Sequence, residues 1–88
     1  MTYLWVRHKV ADFSDWKRVF DSHSAAQQAS GLRVERVLRN MDNPNEVFLF
    51  FEVEDLEKAR GFISSPDAAE GKQQSGVVDD PDVYFLSS

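Results

Sequence analysis

Between Tyr3 and Val10 apolar and polar side chains alternate, with Leu4, Val6 and Val10 on one face and Tyr3, Trp5, Arg7 and Lys9 on the other. A period of two predicts a strand, and His8 shares the parity of the apolar face. Asp12 stands where an N-cap belongs, Asp15 adds negative charge to the first turn, and Gly31 supplies a C-terminal stop. This pattern predicts one helix from about Phe13 to about Ala29. At about 100° per residue, Phe13, Trp16, Val19, Phe20 and His23 share one arc, while Ser14, Arg18, Asp21, Ser22 and Ala25 fall outside it.

From Leu32 to Asn40 the charges Arg33, Glu35, Arg36 and Arg39 interleave with Val34, Val37 and Leu38, a composition suited to an edge strand. The turn formers Asp42-Asn43-Pro44-Asn45 join it to Glu46–Val53 as a hairpin. Val47-Phe48-Leu49-Phe50-Phe51 is apolar at consecutive positions, so this strand is expected to be buried on both faces and central. Asp55 caps a second helix carrying Leu56, Ala59, Phe62 and Ile63, in which Gly61 is read as a close backbone approach. Ser65-Pro66 opens a short third helix reaching Ser75 and stopping at Gly76, and Asp82 to Leu86 supplies a last strand. The order is that of the α+β, ferredoxin-like βαββαβ pattern, a four-stranded antiparallel sheet with the first and third strands in the middle.

Eighty-eight residues allow one domain and one core. The single domain is expected to span 1–88, and a large binding site must be carved from the core or shared with a partner. A hydrophobic fraction of 42% excludes a disordered chain, and a net charge of −5 without a Lys/Arg cluster argues against nucleic-acid binding. There is no cysteine, hence no disulfide, thiolate metal site or cysteine nucleophile. No transmembrane-length apolar run occurs, so a cytoplasmic protein without membrane contact is expected.

Both long helices of such a fold pack on one side of the sheet, which leaves Tyr3, Trp5 and one set of the third-strand residues facing away. Burying a large apolar side chain stabilises by about 1.5–3 kcal/mol, so a wet aromatic face would forfeit much of the domain's stability. A homodimer packed sheet to sheet removes the problem; the competing arrangement folds the third helix or the C-terminal tail over the face.

The segments Val6-Arg7-His8-Lys9-Val10-Ala11-Asp12-Phe13-Ser14-Asp15-Trp16, Asn43-Pro44-Asn45-Glu46-Val47 and Gly76-Val77 to Val83-Tyr84-Phe85-Leu86 resemble small members of the dimeric α/β-barrel superfamily. That superfamily includes antibiotic-biosynthesis monooxygenases, polyketide-cyclase-like enzymes, stress-responsive barrels and haem-degrading enzymes. The resemblance implies two four-stranded sheets forming a barrel across a dimer, with a ligand site in each protomer between helices and sheet. The haem-degrading branch uses an Asn, a Trp and a late helical His; both histidines here lie in the first 23 residues, and no cofactor is expected.

His23, on an apolar helix face near Trp16 and Phe20, is a candidate catalytic base, or else a structural histidine bonded to backbone or water. His8 either points into the cleft beneath the first helix, where the two imidazoles would converge, or is turned outward by strand twist. Trp16 and Phe20 are candidate substrate-binding residues, as are Arg7, Trp5 and Tyr84 on the opposite face or the rim, where Arg can bind a carboxylate or phenolate and aromatics can stack. The simpler role for Arg7 is an interface ion pair with Glu52, for Arg36 edge-strand protection, and for Asp79, Asp80 and Asp82 a solvated loop rather than a cation site. No phosphate-cradling glycine loop, nucleophile elbow or zinc-helix motif occurs. The expected function is that of a cofactor-free monooxygenase- or cyclase-like enzyme acting on a small aromatic or polyketide-like substrate; the alternative is a non-catalytic homodimeric module that binds a small hydrophobic molecule or responds to stress.

Overall fold

The computed structural model describes residues 1–74 and 76–88, with positions 67, 68, 70 and 71 given by their backbone. Its elements are β1 (Thr2–Lys9), α1 (Phe13–Ser22), α2 (Ser24–Ala29), β2 (Leu32–Arg39), β3 (Glu46–Val53), α3 (Leu56–Ile63), α4 (Pro66–Gln74) and β4 (Asp82–Ser87). The sheet is antiparallel throughout, in the order β2-β3-β1-β4, so β1 and β3 are central, as the ferredoxin-like pattern requires. The expected helix end at Ser75 lies outside the described residues. No described helix is long and apolar enough to cross a membrane.

One face of the sheet carries Leu4, Val6, His8 and Val10 from the β1 side and Val47, Leu49, Phe51 and Val53 from β3, all buried beneath the helices. Trp16 of α1, Leu32 and Ala59 of α3 complete this core. The residues of opposite parity, Tyr3, Trp5, Phe48 and Phe50, are only half-buried and leave the second face of β3 open to one side. Trp5 is the hub there, with ring centroids 6.0 Å from Phe48, 6.4 Å from Phe50 and 5.3 Å from Tyr84. The arrangement in which the third helix covers this face is not the one adopted, because α4 packs against α1 and α3.

Two local expectations are corrected. The first helix is not continuous from Phe13 to Ala29: it breaks at His23, whose φ of −95° and ψ of 7° leave the helical region. The Ser22 hydroxyl donates to the Val19 carbonyl and the His23 amide closes a short-range bond to Phe20, so local bonds there compete with the i→i−4 ladder. Gly61 marks no close approach, since a Cβ there would meet nothing within 4 Å. The real close approach is at Gly31, with φ of 75°, where a Cβ would stand 2.9 Å from the Asp55 amide nitrogen.

The hairpin and the helix start are tied together through Asn45. Its side-chain oxygen accepts from the Phe13 amide at 3.0 Å and its carbonyl from the Val10 amide at 2.8 Å. Asp12, as expected, caps α1 by accepting from the Asp15 amide at 3.0 Å. These bonds fix where α1 leaves the sheet, and hence the width of the cleft beneath it.

Candidate functional site

The cleft between helices and sheet holds a cavity of about 200 Å³. Its floor is sheet, with Val6 and His8 from β1 and Leu49 and Phe51 from β3; its roof is α1 and α2, through Trp16, Phe20, His23 and Gln27. The third side is the segment leading into β4, with Val77 and Pro81, and Val83 of β4 itself, with Lys72 of α4 beside it. The walls are mostly apolar, with an aromatic cluster on one side: Trp16 stacks on Phe20 at 4.8 Å, and Phe20 lies 6.2 Å from Phe51.

His8 is the buried polar residue of the floor. Strand parity places it with Leu4 and Val6, its ring meets Trp16 edge-on at 5.5 Å, and only 6% of the residue is exposed. Its Nε2 is buried without a hydrogen-bond partner among the described residues. Leaving a buried polar atom unpaired costs about 1–3 kcal/mol, so a water or a ligand group beside the cavity would be favoured as its partner. Burial pushes the imidazole down to about 4; Asp79 opposes this by favouring the cation, while Arg7 and Lys72 add to the lowering. The ring is therefore neutral at pH 7 and able to accept a proton or a hydrogen bond.

His23, at the helix break, lines the same cavity, and Gln27, four residues on, is buried on the same wall. The structure thus gathers His8, His23, Trp16 and Phe20 around one space. It does not bring Arg7, Trp5 or Tyr84 there, because odd-numbered β1 positions and their β4 partner point to the open face.

Arg7 is engaged by three carboxylates. Its Nη1 donates to Glu46 at 2.9 Å, its Nη2 to Asp79 at 3.0 Å and its Nε to Asp82 at 2.8 Å. The expected pair with Glu52 is replaced, since the strand register sets Glu52 opposite Arg33, to which it bonds. Asp79 and Asp82 accordingly are not merely loop solvation, whereas Asp80 is exposed. Burial works to raise the Asp79 carboxyl, but the Lys9 amide and Arg7 overcome it and hold it below the usual carboxylate range. The Asn40 amide, with help from Arg7, does the same for Glu46. Among the described residues no group of three or more His, Asp or Glu side chains is arranged to hold a metal ion.

Gln27 and the 77–83 wall were not singled out in the sequence. Gln27 extends the spacing Phe20, His23, Gln27 at i, i+3 and i+7, so the helical period contains its signal. The wall has none, because an irregular segment carries no periodicity.

No family model matches the chain, and no curated protein matches it. Its fold does match solved structures over nearly its whole length. A candidate antibiotic biosynthesis monooxygenase from Bordetella bronchiseptica is 15% identical, with a TM-score of 0.80 over 99% of this chain and 95% of that one. A second such protein, from Caulobacter crescentus, is 13% identical, with a TM-score of 0.76 over 99% and 88%. SnoaB, a cofactor-independent oxygenase from Streptomyces nogalater, solved as a point mutant, is 14% identical, with a TM-score of 0.74 over 99% and 91%. The chain therefore carries the ferredoxin-like fold of the antibiotic biosynthesis monooxygenase structures.

Proposed function

We propose that the protein is a cofactor-independent oxygenase of small aromatic substrates, acting as a homodimer, with His8 as its general base. The observation that carries this reading is His8, a neutral imidazole with an unpartnered, buried Nε2, among the residues that line an apolar cavity with Trp16, Phe20, Phe51 and Phe62 in its walls. Support comes from the fold shared with SnoaB. Support for the dimer comes from the open face around Trp5.

The substrate class is an aryl ketone or phenol with an acidic methylene, stacked against Trp16 and Phe20. Nε2 removes a C–H proton, and His23 and Gln27, across the cavity, donate to the carbonyl oxygen on which the negative charge gathers. The carbanion passes an electron to dioxygen and recombines with it; the imidazolium returns its proton to the resulting peroxide. Loss of water then breaks the O–O bond and leaves a new carbonyl, so that R2CH2 and O2 give R2CO and H2O. Carbon is oxidised, dioxygen is reduced, and no other redox partner is needed.

The test is oxygen uptake on a panel of aryl ketones, anthrone among them, without added metal or cofactor. One O2 consumed per ketone formed is expected, and His8→Gln should lower the rate by about 10²-fold or more, the usual contribution of a positioned base. Unchanged uptake in a folded His8→Gln protein removes His8 from the chemistry. Binding of the panel without uptake favours the non-catalytic small-molecule module instead.

A further inference from the structure

The backs of β1 and β4 carry a charge cluster that no step above uses, and it is joined to the cavity through the chain. Asp79 and Asp82 bracket Pro81, and Val77, Pro81 and Val83 form the cavity's third wall. We propose that Arg7 is a positioning residue: by gripping Asp79, Asp82 and Glu46 behind the sheet, it holds the 77–83 wall against the cavity beside His8. This rests on the reading of the cavity as the substrate site.

Asp79 is the joint. One oxygen takes Arg7 Nη2 at 3.0 Å and the other takes the Lys9 amide at 2.8 Å, while the Val78 amide donates to the Lys9 carbonyl at 2.9 Å. The Val10–Val77 bridge and the bond from the Ala11 amide to Gly76 at 2.9 Å continue the seam. Lys9 adjoins His8, so the seam fixes the backbone on the C-terminal side of the base. A guanidinium presents donors in a planar fork, which lets one side chain tie β3, the loop and β4 at once, and Lys is no substitute for it. The charged and titratable groups around His8 are Arg7 and Lys9 on β1, Glu46 on β3, His23 at the helix break, Lys72 on α4, and Asp79 and Asp82. Removing Arg7 leaves the negative charge of Asp79 unopposed and favours the imidazolium; removing the Asp79 charge does the opposite.

The experiment follows the His8 ring by NMR titration, the Lys9 and Val78 amides by hydrogen exchange, and 1-naphthol binding by calorimetry, in the wild type, Arg7→Gln, Arg7→Lys, Asp79→Asn and Asp80→Asn. Arg7→Gln should speed both amides by about tenfold or more, as expected for a locally opened segment. It should also weaken 1-naphthol binding and move the His8 midpoint upward. Asp79→Asn should speed the same amides. Arg7→Lys should fall between wild type and Arg7→Gln, and Asp80→Asn should match the wild type. Unchanged exchange in both Arg7→Gln and Asp79→Asn overturns the proposal. If Arg7→Gln does not fold, Asp79→Asn against Asp80→Asn decides it. If 1-naphthol fails to bind the wild type, the substrate-site reading falls, while the exchange still decides the role of Arg7.

Discussion

His8 lies on an inward-facing strand position normally given to Val or Leu, which its neighbours Leu4, Val6 and Val10 duly occupy. Its burial makes stability depend on pH in a sense that can be worked out. Unfolded, the imidazole takes a proton near pH 6.5; folded, it does so only near 4. Between those values the unfolded chain binds more protons, so stability is full above the window and falls as pH drops through it, by about 1.4 kcal/mol per pH unit. Asp79 and Glu46, with lowered carboxyls, also lose stability on acidification. Both carboxyls remain in His8→Gln, so the wild-type-minus-variant difference in urea-unfolding free energy isolates the histidine. That difference should slope between pH 6.5 and 4 and be level above 7; a level difference throughout means that His8 is not buried as a neutral base.

At the scale of elements, Gly31, read from the sequence as a helix stop, and Gly61, read as a close approach, have opposite roles. Gly31 needs its positive φ and has the Asp55 amide against its missing Cβ, so Gly31→Ala should destabilise by more than about 1 kcal/mol. Gly61 sits within α3 facing open space, and Gly61→Ala should stabilise by about 0.5–1 kcal/mol. Chemical denaturation of the two variants checks both signs. Periodicity made the sheet legible: alternation in β1 and the continuous apolar run in β3 agreed with central places for both strands and gave His8 the parity of the apolar face, while leaving open whether twist turned it outward. What escaped it depended on bonds and pairings that periodicity does not encode. The helix break at His23 comes from side-chain and short-range backbone bonds, the partners of Arg7 follow from a strand register that sets it opposite Asp82, and the 77–83 wall has no repeat to read.

For the whole molecule the decisive surface is the open sheet face. Tyr3, Trp5, Phe48 and Phe50 are half-buried in the protomer, and Leu38, Tyr84 and Leu86 are 44%, 52% and 47% exposed beside them. A contiguous apolar surface of this kind marks an interface, and a two-fold pairing of identical faces closes without leaving a further one exposed. Arg7 and its carboxylates flank the same face, so pairing would shield the clamp that holds the cavity wall from solvent. The protein should therefore sediment at twice the chain mass at micromolar concentration. Leu38→Glu with Tyr84→Glu alters side chains already exposed in the protomer, so it should leave the far-UV circular dichroism unchanged while shifting sedimentation to a single chain and lowering the melting temperature. A wild-type protein that sediments as a single chain at that concentration would mean that this face is stable in water and that the cavity is complete within one protomer.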